Sequence, residues 1–451
     1  MRRRRLLDCM GAAGLLSALG PAARASQESA PSDYKALVCV FLFGGNDGNH
    51  MLVPLGDRHG DPAKVRAGTS LAFIREQLLP LAGAGGAAEF GLNPALAPLL
   101  PLWNDSRLAV LFNTGALVEP LSRSSYQRGG RKPDNLYSHS DQQDFAQGLG
   151  DDSPGHPGWG LRLARSVRPE GGGTGRLPSM ISMAGNQAFL RGDVRASLVL
   201  PARGNFGLAG SGADAVSATR VDALRALWAQ DPTSLGREAG AIVASALDAA
   251  GLVNPIINPP ADAAPSPAAA PFAALRSDLG QQLSRVARLV EARSVVGNRR
   301  QIFFVSLGGF DTHTNQRAEQ DRLLTELATA LRGFDDAMQA LGMGAQVTAF
   351  TMSDFARTLK LNNSAGTDHG WGNHQLVLGG AVRGRQTYGS HPQLALGGPD
   401  DATREGRWIP STSYDQVVAT LARWFGVDDS ALGAITPNLA RFDRRDLGFL
   451  A

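Results

Sequence analysis

Cysteine is almost missing from this chain, with only Cys9 and Cys39 among 451 residues. Cys9 lies in an N-terminal apolar segment and Cys39 inside the apolar run ALVCVFLF, so no disulfide framework is available and a buried core must supply the stability. Past the N-terminal segment there is no second apolar run approaching the ~20 residues that span a bilayer, so a soluble mature chain with no stable membrane span is expected. Charge of one sign is also missing. The formal net charge of +3 is concentrated in Arg2, Arg3, Arg4, Arg5 and Arg24, opposed only by Asp8, and the remaining chain carries −1. A near-neutral body excludes the basic footprint of a nucleic-acid binder. No G-x-G-x-x-G follows the first strand, where the loop reads GGNDGN instead, and no acidic residue is set up to read a ribose. Both absences argue against a dinucleotide-dependent oxidoreductase.

What is present begins with MRRRRLLDCMGAAGLLSALGPAARAS. A positive stretch, a short apolar stretch (Leu6 to Leu19) and Ala23-Arg24-Ala25 form the three parts of a cleavable signal peptide over residues 1–25. Arg3-Arg4-Arg5-Leu6-Leu7 resembles the twin-arginine consensus, the signal of a route that carries folded proteins. The expected partners in export are the twin-arginine translocase and signal peptidase, and the destination is periplasmic or secreted. An ordinary secretory signal is the alternative.

Short runs rich in β-branched and aromatic residues predict buried parallel strands at Ala36–Phe43, Arg107–Asn113, Gln301–Leu307 and Gln346–Met352, with a fifth at Gln375–Leu378. Helical patterns lie between them, at Val221–Gln230, Leu235–Ala250, Pro271–Ala292, Gln316–Ala340 and Tyr414–Phe425. This alternation predicts an α/β fold, a three-layer α/β/α sandwich on a mainly parallel sheet, with residues 26–451 as one domain. The Pro/Ala-rich stretch at residues 254–270 reads as an exposed, partly disordered insertion, and Gly171–Gly175 as a flexible spot.

Ligands of open parallel sheets bind at the carboxyl ends of the strands. The polar motifs sit there: GGNDGNH with Asp47, GGFDTH with Asp311 and His313, Ser353-Asp354 after the fourth strand, and GTDHGWGNH with Asp368, His369 and His374. LYSHSDQQ places Ser138, His139 and Ser140 at a helix start, where Ser140 and Gln143 have capping-box spacing. Carboxylates and imidazoles gathered from several strand ends suit one or two divalent ions, Zn, Mn, Mg or Ca. Each residue also has a plain structural role open to it: Asp47 as an Asx cap, His139 as a surface residue, Ser140 as an N-cap, Asp354 as a cap of the following segment.

Taken together, GGNDGN, SHSDQQ, GGFDTH, SDFxRT and GTDHGWGNHxxVxGGxVxG resemble a family of twin-arginine-exported bacterial proteins of unknown function, grouped with the alkaline phosphatase–sulfatase superfamily. The resemblance runs from about Ala36 to Leu450. It implies an alkaline-phosphatase-like fold holding two metals through an early Asp, matched by Asp47, and through Asp311 with His313. For the second pair it leaves two alignments: Asp368-His369 with His374 last, or Asp354 at a strand end with His369 last, the second being preferred. Phe355 then stands where a histidine is expected. The implied activity is hydrolysis of a phosphate or sulfate ester, of a small molecule or an envelope glycan, with Ser140 as nucleophile assisted by His139. No cysteine lies in a sulfatase-type activation motif. The rival reading is a non-catalytic cell-envelope protein that keeps the fold for binding or assembly.

Overall fold

Strand β1 (Lys35–Leu42) is apolar on both faces, as a strand covered on both sides must be. In this computed structural model, which describes residues 33–56, 60–83, 88–150, 156–167, 175–192, 197–208, 215–230, 233–260 and 262–451, β1 runs through the middle of a nine-stranded sheet. The other strands of that sheet are β2 (Leu108–Gly115), β3 (Met180–Ser182), β4 (Ser197–Val199), β5 (Arg300–Leu307), β6 (Val347–Ser353), β9 (Asn373–Leu378), β10 (Gln386–Tyr388) and β11 (Thr412–Ser413). A hairpin of β7 (Arg357–Leu361) and β8 (Thr367–His369) leaves the sheet between β6 and β9. The order is β10-β2-β9-β6-β1-β5-β3-β4, with β11 beside β2. β1 pairs in parallel with β5 and β6, and β9 alone runs antiparallel to its neighbours β2 and β6. The expectation of a parallel strand therefore fails at Gln375–Leu378: β6 leads out through the β7–β8 hairpin and returns, so no helical crossover is available to turn β9 parallel.

Alternation along β1 divides the core. Ala36, Val38, Val40 and Leu42 join one cluster with α5 (Asp278–Glu291) and α6 (Gln316–Ala340). Leu37, Cys39 and Phe41 join the other with α1 (His139–Gly148), α2 (Trp159–Ser166) and α7 (Tyr414–Phe425). The molecule is thus an α/β/α sandwich on a mainly parallel sheet, as the strand–helix alternation predicts.

Two long helices, α3 (Ala215–Ala229) and α4 (Ser234–Ile257), pair with each other. α4 begins where expected but continues past Ala250 through Pro255, burying Val253 and Ile257 against the core. The Pro/Ala-rich stretch is therefore helical at its start, and Ala268 within it is fully buried. Among the described residues α4 is also the one helix long and apolar enough, by length and composition, to cross a membrane, which corrects the expectation that no such run follows the N-terminal segment. The leader predicted at residues 1–25 and most of the predicted flexible spot at Gly171–Gly175 lie outside the described residues.

The register sets the functional end of the sheet. Leu42 lies level with Leu307 and Ser353, so the turns after β1, β5 and β6 emerge together.

Candidate metal centre

Gly44 and Gly45, in the turn after β1, hold positive φ values of 108° and 80°. A Cβ on Gly44 would lie 2.4 Å from the Asp311 amide nitrogen, so only glycine allows the turns after β1 and β5 to touch. The Gly44 and Gly45 N–H groups donate to the Asp354 carboxylate at 3.1 and 2.8 Å. Gln143 Nε2 donates to it as well, at 3.1 Å. Asp354 is buried at the end of β6, and its Oδ2 lies 2.6 Å from His139 Nδ1.

Two more imidazoles are held in the same manner. His313 Nδ1 lies 3.2 Å from Asp368 Oδ1, an oxygen that also accepts from Asn362 Nδ2. His369 Nδ1 lies 2.7 Å from the Tyr137 carbonyl oxygen. A carbonyl only accepts, so neutral His369 carries its proton on Nδ1 and presents a lone pair at Nε2. The carboxylates facing His139 and His313 impose the same tautomer.

All three Nε2 atoms turn to one oxygen. Asp311 Oδ1 lies 2.9 Å from His313, 3.2 Å from His369 and 3.4 Å from His139. The Nε2 atoms of His313 and His369 are 3.0 Å apart, and His139 Nε2 is buried without a hydrogen-bond partner. Lone pairs facing lone pairs and a carboxylate are resolved by a cation placed among them. The candidate ligand atoms of His139, Asp311 and His369 all lie within 4.8 Å of one another. Ligands held tetrahedrally at zinc-like bond lengths sit about 3.3 Å apart. The distances of 2.9–3.4 Å around Asp311 Oδ1 bracket that value. This donor set fits a divalent metal.

The surroundings tune these groups. Burial would raise the Asp311 pKa, but the hydrogen bond and charge of Arg357, with His313 and His139, bring it down to about 2. The Asp354 hydrogen bond raises His139, whereas burial lowers His369. Phe355 packs against both rings, with centroids 4.6 Å from His139 and 4.7 Å from His369. The residue in a histidine's expected place is an apolar wall behind two histidines.

Asp311, His313 and His369 thus lie together, and His139 lies with them as a further ligand candidate. Asp354 and Asp368 stand behind histidines instead of at the centre. Asp47 and His374 are elsewhere. Asp47 accepts from Arg66 Nη2 and Gln316 Nε2 at 2.8 and 2.6 Å and caps a short helical turn through the His50 N–H. His374 is fully buried, accepts from the Asn113 N–H at 3.2 Å, and stacks on His391. Ser140 is exposed in the first turn of α1, bonded to Ser138 and Asp141, and the helix is entered at Ser138, two positions earlier than the capping-box spacing predicts.

Arg357 was not among the residues the motifs singled out, although it stands in the SDFxRT string. It is fully buried, and its guanidinium donates to Asp311 Oδ1 at 2.7 Å, to Thr367 Oγ1 at 3.2 Å, to the Thr367 carbonyl and to the Gly44 carbonyl. An arginine beginning a strand that directly follows a site aspartate was the available signal.

Residues 219–433 match a family described as "Protein of unknown function (DUF1501)". That span holds Asp311, His313, Asp354, Arg357, Asp368 and His369, and leaves out His139. No curated protein matches the chain. Among solved structures, it is similar to Ps i-CgsB, at 8% identity over 92% of this chain and 77% of that one, with a TM-score of 0.39. The phosphonate monoester hydrolase of Agrobacterium radiobacter gives 10% identity over 88% and 74%, with a TM-score of 0.33. The lipoteichoic acid synthase LtaP from Listeria monocytogenes gives 8% identity over 85% and 76%, with a TM-score of 0.31.

Proposed function

We propose that this chain is an exported, metal-dependent hydrolase of phosphate or sulfate esters with an alkaline-phosphatase-like fold. The observation that carries the reading is the set of three imidazoles, each tied at Nδ1 and each turned at Nε2 toward Asp311 Oδ1. His139, His369, His313 and Asp311 would hold the ion. Once bound, a divalent ion supplies Lewis acidity toward an ester oxygen and offsets the charge that develops there.

The protein's own contribution is orientation. Asp354, Asp368 and the Tyr137 carbonyl fix the three rings, and Arg357 favours the ionised form of Asp311. Ser140, next to His139 in the first turn of α1, is the proposed nucleophile. Asp141 Oδ2, 3.2 Å from its hydroxyl, is placed to accept the proton it would lose. The substrate is a small-molecule or envelope-glycan ester, and export uses the twin-arginine translocase and signal peptidase.

The exposed position of Ser140, bonded only to Ser138 and Asp141 among the contacts described for its hydroxyl, favours the second reading, a metal-holding envelope protein without turnover. The deciding experiment is a panel of phosphomonoester, phosphodiester and sulfate substrates, assayed with each of Zn, Mn, Mg and Ca. Turnover that is lost on chelation and in His369→Ala supports the hydrolase. No turnover by folded, metal-loaded protein supports the second reading.

A further inference from the structure

A two-metal centre needs a second carboxylate-bearing position with free lone pairs near the first, and Asp47 is the residue the resemblance assigns to it. Asp47 is 0% exposed and both its oxygens accept hydrogen bonds. Oδ2 accepts from Arg66 Nη2 and Gln316 Nε2, and Oδ1 from the His50 N–H at 3.1 Å. Arg66 is itself 3% exposed, and its Nε and Nη2 also donate to the carbonyls of Leu359 and Thr358 on β7. A cation arriving at Asp47 would have to expel a buried guanidinium with nowhere wet to go, or share with it a carboxylate that has no exposure, where like charges repel strongly. Asp311 also accepts from a guanidinium, that of Arg357, but its side chain is 43% exposed, and water there screens the repulsion.

The polar chain beyond Asp47 leads to the centre without offering another ligand. Gln316 Oε1 accepts from Thr367 Oγ1, which accepts from Arg357 Nε, and Arg357 Nη1 ends on Asp311. Every link is an amide, a hydroxyl or a guanidinium. Of the carboxylates close to the three histidines, Asp354 is also committed, to two backbone amides, Gln143 and His139, while Asp368 spends Oδ1 on His313 and Asn362 and is 47% exposed.

We propose that the centre is mononuclear, with one divalent cation held by His139, His369, His313 and Asp311, and with the buried Arg66 guanidinium standing at Asp47 in the place of a second cation. The proposal rests on the metal-dependent reading of the site and fixes its nuclearity. Arg66 and Gln316 thereby acquire a definite role, since they neutralise and fill the position that the resemblance assigns to a metal.

The test is metal stoichiometry on the full mature chain, loaded with excess Zn or Mn, desalted, and measured by elemental analysis and native mass spectrometry. One equivalent is expected for wild type. It should be lost in His369→Ala and in His139→Ala and retained in Asp47→Asn. Manganese-loaded protein should give the electron-paramagnetic-resonance signal of an isolated ion, without the coupling that two adjacent ions produce. Two equivalents in wild type, one of them lost in Asp47→Asn, would overturn the proposal and leave the metal-dependent reading standing. Should Asp47→Asn fail to fold, the wild-type stoichiometry and the manganese spectrum decide alone. One equivalent with no turnover removes the hydrolase and keeps the mononuclear centre, whereas no metal in wild type removes both.

Discussion

Arg357 donates to the same oxygen of Asp311 toward which the three histidines turn, at 2.7 Å, from a position with no exposure of its own. A positive group beside a candidate metal ligand orients the carboxylate as well as competing for it. The remaining donors of Arg357 are spent on Thr367 and Gly44, so its place is fixed by β8 and by the turn after β1.

Replacing Arg357 should therefore cost stability and disturb the centre together. Arg357→Met leaves three backbone or hydroxyl acceptors without a partner. With Asp311 partly exposed, the expected loss is about 2–3 kcal/mol, at or below the low end for a broken buried pair. Thermal and denaturant unfolding of the metal-free protein would measure it. A variant as stable as the parent would show that Arg357 is not the tie between the two turns.

Metal removal should lower the melting temperature, because an ion bound only to the folded chain stabilises it by mass action, by about 2.7 kcal/mol at a hundredfold excess over the dissociation constant. His369→Ala and Asp311→Ala should melt at the same temperature with or without chelator. If chelation leaves wild type unchanged, the centre holds nothing that matters to folding.

Ser140→Ala separates two roles. Loss of a nucleophile would remove turnover by several orders of magnitude, whereas loss of an exposed first-turn hydroxyl costs at most ~1 kcal/mol of stability. Undiminished turnover in this variant would take the nucleophile away from Ser140 and leave the metal ligands in place.

Acid should weaken the fold through His374. Burial, and after it the neighbouring His391, hold its pKa well below the ordinary 6.5. The unfolded chain takes up a proton there that the folded chain refuses, so stability is intact above 6.5 and falls as the pH drops below it. The slope from this one group approaches about 1.4 kcal/mol per pH unit. His374→Gln, measured by chemical denaturation from pH 7 to pH 5, should show a shallower decline than wild type, and an identical slope would contradict the assignment.

Export should depend on the arginines. Replacing Arg3, Arg4 and Arg5 with Lys should leave precursor in the cytoplasm, and normal processing of that variant would point to the general secretory route.

The frame of the molecule could be read from its apolar runs. Lys35–Leu42 and Val347–Ser353 are strands within a residue or two of the predicted spans, and Gln316–Ala340 and Tyr414–Phe425 have the predicted bounds. Periodicity is local, and these elements announce themselves locally. The antiparallel course of β9 depends on what lies between it and β6, and a short apolar run does not encode direction. The candidate site was legible as a group of motifs but not in its roles. His139 reads as a surface or catalytic residue until Asp354, 215 positions away, is seen on its Nδ1. Asp47 reads as a candidate ligand, and nothing in GGNDGN encodes that Arg66 lies against it. Phe355 looks like a defect in a motif and is in fact the wall behind two imidazoles.

The position of β1 bears on when the centre can form. This strand is near the start of the described chain, yet its two partners lie at Arg300–Leu307 and Val347–Ser353, and the Gly44–Asp354 bond closes a loop of 310 positions. No stretch of nascent chain holds His139, Asp311 and His369 in reach of one another before that closure. The candidate centre therefore forms only after the chain through His369 has been made and β1 has taken its place between β5 and β6. On the proposed twin-arginine route, which carries a chain already folded, the choice of metal would then be made on the near side, from the ions of the compartment where folding ends, and the destination would receive a protein whose metal had already been selected.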